Sequence, residues 1–118
     1  MKTFQIPGHK KEVVNSNEVL YIIAAGRTCY LIVITDLLKK QWRKICSTHN
    51  LGHYKTLLED TTLFNAHHRY IINLELVESF TGNYEVTMKI PTGEKLQVAT
   101  RRFKNFKKEL ALVRGLQK

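Results

Sequence analysis

The chain has 118 residues, 43% hydrophobic and 25% charged, an ordinary globular profile that fits one domain able to bury roughly two-thirds of its unfolded surface without a staple. Nineteen Lys and Arg against ten Asp and Glu give a net charge of +9, which points to an anionic partner, nucleic acid before an anionic lipid surface. Two cysteines are too few for a disulfide framework, no apolar run approaches the roughly 18 to 20 residues of a spanning helix, and MKTFQIPGHKKEV lacks the apolar centre of a secretory signal, so a cytoplasmic protein in a reducing compartment is expected.

Strand signals come first along the chain. EVVN (12–15) and EVLYIIAA (18–25) are separated by the turn-forming pair SN. TCYLIVIT (28–35) follows after GR, which predicts a hairpin over 18–35 with Gly26 at its bend. Both arms are apolar on both faces, the pattern of strands lying between two layers. KQWRKICS (40–47) alternates more weakly. The period then changes. Leu51, Tyr54, Leu57 and Leu58 fall at helical spacing, and Asn50 is a suitable N-cap, so the one internal helix is expected at about 50–60.

Strand returns with YIINLELVESF (70–80), then YEVTMKI (84–90), where Tyr84, Val86, Met88 and Ile90 share one face. PTG (91–93) is turn chemistry, and EKLQVA (94–99) closes the hairpin with Leu96 and Val98 inward. Phe103, Phe106, Leu110 and Val113 then form the apolar stripe of a basic helix expected at about 101–114. The fold is read as mainly β.

Charge is unevenly placed. Residues 101–118 hold seven Lys or Arg against one Glu, and KKQWRK (39–44) adds four more cations. Three polar clusters stand at strand ends: GRT (26–28), HHR (67–69) and TRR (100–102). Loops held by a rigid sheet are where binding residues tend to sit. Arg can pair bidentately with guanine in the major groove, His offers shorter neutral hydrogen bonds, and Lys mainly neutralises phosphate. Each cluster alone is more often a solvated turn; three in a +9 chain favour a nucleic-acid surface.

Other chemistries have less support. Cys46, His49 and His53 have a metal-like spacing, with His67 and His68 further on, but structural zinc draws paired ligands from two separate arms and only one is present. No metal or cofactor is expected. There is no glycine-rich phosphate loop and no G-x-S-x-G turn, the acids are scattered, and nothing places Cys29 beside a histidine, so no enzyme and no small-molecule substrate is expected. The basic helix could lie on anionic lipid, yet its stripe has the width a small β domain covers itself, so no membrane partner is expected.

The run Phe64, His67, Tyr70, Ile71, Ile72, Asn73, with LELVESF after it and LQVATRRFKNFKKEL at the close, resembles the LytTR-type DNA-binding domain, the output module of LytR/AlgR response regulators. EVLYIIAAGRTCYLIV and YKTLLED fit that family's entry strands and internal helix, so the resemblance covers roughly residues 4–112. It implies an elongated fold of small antiparallel sheets with loops, not a recognition helix, entering successive major grooves. It also implies transcription regulation through bent duplex DNA, imperfect direct repeats and a second copy alongside on the DNA.

Carried over by position, the groove-facing residues are Arg27, Thr28 and Cys29 in the bend, His68 and Arg69 in the turn, and Arg101 and Arg102 at the last step; His67 and Lys104 complete the expected DNA-binding set. Cys29 ranks below Arg27, since a thiol is a poor base reader. His68 and Arg69 depart from the family's usual residues, and DLLKK (36–40) lacks its turn glycine. The alternative is a non-specific module for RNA or single strands, which would need exposed aromatics for stacking. Tyr21, Tyr30, Trp42, Tyr70 and Tyr84 mostly fall on apolar strand faces.

Overall fold

The doubly apolar arms lie at the centre of the architecture. In the computed structural model, which describes residues 2–7, 12–89 and 95–116, β3 (Val19–Ala25) and β4 (Thr28–Asp36) pair antiparallel around a Gly26–Arg27 bend. They belong to a five-stranded sheet completed by β5 (Gln41–Ser47), β6 (Leu63–His67) and β7 (Tyr70–Asn73), in the order β5-β4-β3-β7-β6. β1 (Thr3–Ile6) and β2 (Glu12–Asn15) form a separate two-stranded sheet. β8 (Val77–Phe80), β9 (Glu85–Met88) and β10 (Lys95–Gln97) form a third.

Each face of the large sheet covers its own core, which is why its inner strands carry no polar face. On one side Val19, Ile22, Leu31, Val33 and Ile71 meet Phe4, Ile6 and Val14, together with Leu51 and Tyr54 of α1 (Leu51–Leu57). On the other, Leu20, Tyr21, Ile32 and Ile72 meet the third sheet and Phe106 and Leu110 of α2 (Phe103–Leu116). Strict alternation would separate Leu20 from Tyr21; a register shift between Val19 and Tyr21 puts both on the α2 side. Phe106 is fully buried, a contribution of roughly 3 kcal/mol.

Several boundaries differ from the sequence reading. Glu18 belongs to a 3-10 turn, Ser16–Glu18, ahead of β3. The stretch 70–80 is two strands in two sheets, broken at Asn73. That side chain is fully buried. Its Oδ1 accepts from the Glu75 amide at 3.1 Å and the Thr62 hydroxyl at 2.9 Å, while its amide donates to the Val19 carbonyl at 2.8 Å. The first of these caps the 3-10 turn Leu74–Leu76, which carries the chain off one sheet and onto another.

β1 and β6 were not expected as strands: β1 alternates but is only four residues long, and in β6 the polar Asn65 and His67 interrupt the apolar run. The internal helix is Leu51–Leu57, shorter than 50–60, with Asn50 capping as expected. Tyr84 lies just before β9 at φ 64°, and α2 runs from Phe103 after a 3-10 turn, Thr100–Arg102. Ile90 and the expected PTG turn (91–93) lie outside the described residues.

Candidate nucleic-acid interface

Strand register decides which polar clusters can act together. β3 enters the Gly26–Arg27 bend from Ala25, and β4 leaves it at Thr28. The antiparallel pairing of Ile23 with Tyr70 puts the start of β7 beside the end of β3. The His68–Arg69 turn therefore stands at the same end of the sheet as the bend. A hydrogen bond from the Ala24 amide to the Arg69 carbonyl, 2.9 Å, stitches the two tips together. With β4-β3-β7-β6 as neighbours, the tips are two strand spacings apart, about 10 Å. That is comparable with the ~12 Å width of a major groove.

The third cluster joins through β6. The Ala99 amide donates to the Ala66 carbonyl at 2.8 Å, and Arg102 Nη1 donates to the Asn65 carbonyl at 3.1 Å. Thr100, Arg101 and Lys104 are exposed, whereas Arg102 is half-buried and held. The first turn of α2 has no acidic residue, so its cations add to the positive end of the helix dipole, a costly arrangement unless an anion comes to it.

At the bend, Arg27 and Thr28 are exposed. Gly26 takes φ 65° with open space around it, the left-handed backbone that favours glycine. In the turn, His68 and Arg69 are exposed and His67 is half-buried, its Nδ1 accepting from the Arg69 amide at 3.2 Å. The two histidine rings lie 4.1 Å apart. Burial, then His68, Arg102 and Arg69, hold the His67 pKa below its ordinary value. The arrangement offers hydrogen-bond donors and acceptors beside fixed cations.

Cys29 does not share this surface. Its side chain is fully buried, Sγ meets the His49 carbonyl at 3.4 Å, and burial pushes its thiol up to about 11. A base edge cannot reach it, so its place among the DNA-binding residues is corrected: the bend offers Arg27 and Thr28. The Cys46, His49 and His53 trio, whose spacing is metal-like, is split. Ser47 points inward to Tyr54, with oxygens 2.6 Å apart, so its neighbour Cys46 projects from the opposite face of β5. Among the described residues no group of three or more His, Cys, Asp or Glu could hold a metal ion.

Sequence reasoning passed over the link between β5 and α1 except as a zinc candidate. Cys29 pairs with Ser47 across the sheet, so Thr48, His49 and Asn50 emerge beside the bend. At the opposite end of the sheet the charges are mixed: Glu18, Asp36, Asp60 and Glu75 adjoin strand ends beside Lys39 and Lys40 of the β4–β5 turn and Lys2, whose ammonium pairs with Asp60 at 3.2 Å.

A cationic, histidine-rich surface made by loop tips at one end of a β-sheet has the chemistry that suits an anionic partner. The model of the LytTr DNA-binding domain matches residues 9–111 of the sequence. The chain belongs to that family, a family of DNA-binding domains of response regulators. A solved structure from Bacillus cereus, described as the LytTr DNA-binding domain of a methyl-accepting/DNA response regulator, superposes with a TM-score of 0.71. The match covers 93% of this chain and 97% of that one at 15% identity, which speaks to the fold. Comparison with curated proteins finds no match. Among the described residues no helix is long and apolar enough to cross a membrane.

Proposed function

We propose that this chain regulates transcription by binding specific duplex sequences, inserting the Arg27–Thr28 bend, the His67–Arg69 turn and the Thr100–Lys104 step into the major-groove side of the DNA. Base edges are read by Arg27, His68 and Arg69 and by the Arg101–Arg102 pair, while Lys104 neutralises phosphate. Direct repeats, each taken by one copy of the chain, are the expected target arrangement. No cofactor and no catalytic step enter. The observation that supports this most is the convergence of the three clusters on one sheet end, stitched by Ala24–Arg69 and Ala99–Ala66 hydrogen bonds.

The competing reading, stacking on single strands, needs exposed aromatic platforms. Tyr21 is buried, Tyr30, Tyr70 and Tyr84 are half-buried, and exposed Trp42 lies towards the other end of the sheet on β5. Selection from a random duplex pool tests the proposal. Recovery of a discrete motif, with affinity falling at a log–log salt slope near −4 to −5 for about five neutralised phosphates, is the expected result. No enrichment, with single strands competing equally, would overturn it.

A further inference from the structure

His49 and His53 stand at the same end of the sheet as the Gly26–Arg27 bend and the His68–Arg69 turn. His49 and His53 flank the Asn50 cap, whose Oδ1 accepts from the His53 amide at 2.9 Å. Their rings stack with centroids 3.8 Å apart and planes 30° from parallel. The backbone beneath them is held from three sides. The Cys29 thiol reaches the His49 carbonyl, the Ser47 hydroxyl takes the His49 amide at 3.1 Å, and the Thr48 amide reaches the Pro7 carbonyl at 3.3 Å. The pair is thus fixed to the first residues of β4, immediately beyond Arg27 and Thr28.

Neither imidazole has a hydrogen-bond or carboxylate partner among the described residues. The ring of Tyr54 faces both edge-on, at 5.2 Å from His53 and 6.2 Å from His49. Its hydroxyl is turned away to Ser47. The titratable groups around the pair are Tyr54 from its own helix, the buried Cys29 thiol from β4 and, along the chain, Lys55 and the Arg27 bend. None is an anion at neutral pH, so nothing in the described chain rewards protonation of the stack. Burial and the neighbouring His49 hold the His53 pKa below its ordinary value.

We propose that the β5–α1 connection is a fourth DNA-contacting element, in which the stacked His49–His53 pair engages backbone phosphate and takes up one proton from solvent as it does so. This rests on the duplex-binding reading above. A phosphate beside the stack supplies the anion that the chain does not. It raises the imidazole pKa in the complex above that of the free protein. The sign follows from that. Affinity gains as pH falls through the raised value of the complex and levels off below the free value, and the gain is absent where both states are neutral. The pair then adds charge to a surface whose other cations are permanent, so this end binds DNA more strongly as the medium acidifies.

The test compares the intact chain with H49Q/H53Q on the duplex recovered by selection, at pH 7.5 and pH 5.5, across a salt series. Both proteins should bind alike at pH 7.5. At pH 5.5 the double variant should fall several-fold short of the wild type, with a salt slope shallower by about one unit for the lost phosphate contact. His67 and His68 remain in both proteins, so any pH response common to the two belongs to that turn. Equal affinity and equal slope at pH 5.5 would overturn the fourth element while leaving the duplex-binding reading intact. A wild type that binds no duplex removes both. Should the variant lose its fold, imidazole resonances of the wild type titrated with and without duplex decide the matter. A His53 or His49 pKa raised in the complex supports the proposal, and an unchanged one refutes it.

Discussion

Asn73→Ala removes the side chain that turns the chain from one sheet into another. Four hydrogen bonds go with it: to the Val19 carbonyl and, longer at 3.5 Å, the Ser16 carbonyl, and from the Glu75 amide and the Thr62 hydroxyl. Val19 is fully buried, so its carbonyl loses that partner where water does not replace it, at about 1–3 kcal/mol. Glu75 and Thr62 are half-exposed and recover part of their loss through solvent, adding about 1 kcal/mol together. The sum is about 3 kcal/mol. For a chain of this length each kcal/mol moves Tm by roughly 4 °C, so a drop near 12 °C is expected in thermal denaturation.

Asn73→Asp sharpens the test. A buried carboxylate there faces the Val19 and Ser16 carbonyls, which hold its folded pKa above the unfolded value near 4. Its protonated form can donate to Val19, so this variant should be most stable below about pH 4 and weaken as pH rises through the raised folded value. A Tm within 3 to 4 °C of wild type for Asn73→Ala, about 1 kcal/mol, would refute the account of Asn73 as the hinge between sheets.

Further expectations concern the interface. Arg27→Ala, at an exposed bend, should cost about 1–3 kcal/mol on the selected duplex with stability unchanged, and equal loss on random duplex would make Arg27 a phosphate contact. Arg102→Ala should lower affinity similarly but also cost stability of about 1 kcal/mol, since its guanidinium holds the Asn65 carbonyl; calorimetry and binding titration separate the two effects. Cys46 is exposed and Cys29 buried with its thiol pushed up to about 11, so iodoacetamide at pH 8 should label Cys46 alone in the native protein, with Cys29 reacting after denaturation. Cys29→Ala should leave the affinity per folded molecule unaltered in the same titration. Gly26→Ala meets no clash but must hold φ 65°, a strain of about 1 kcal/mol read by denaturant unfolding.

Much of this protein is legible in the order of its residues. Runs apolar on both faces, 19–25 and 28–36, announce strands buried in two layers, because period-two alternation has nowhere to place a wet face. The Asn50 cap, the Gly26 bend and the stripe Phe106–Leu110 are likewise local chemistry with one good solution each. Net charge and the three basic clusters indicate an anionic partner before any coordinate is known.

Tertiary structure decided what local pattern cannot express. YIINLELVESF (70–80) satisfies strand propensity from end to end; only the distant carbonyl of Val19 and hydroxyl of Thr62, brought to Asn73 by pairing, divide it between two sheets. Cys29 lies beside two polar residues in the chain, yet its position in the alternation of β4 turns it into the core while Arg27 and Thr28 stay outside. His49 is far from the start of β4 in sequence and comes beside Cys29 because β5 runs antiparallel to β4. Side-chain direction within a strand repeats every two residues and is written in the sequence. Which strand ends meet depends on pairing between segments tens of residues apart, and that is settled by packing.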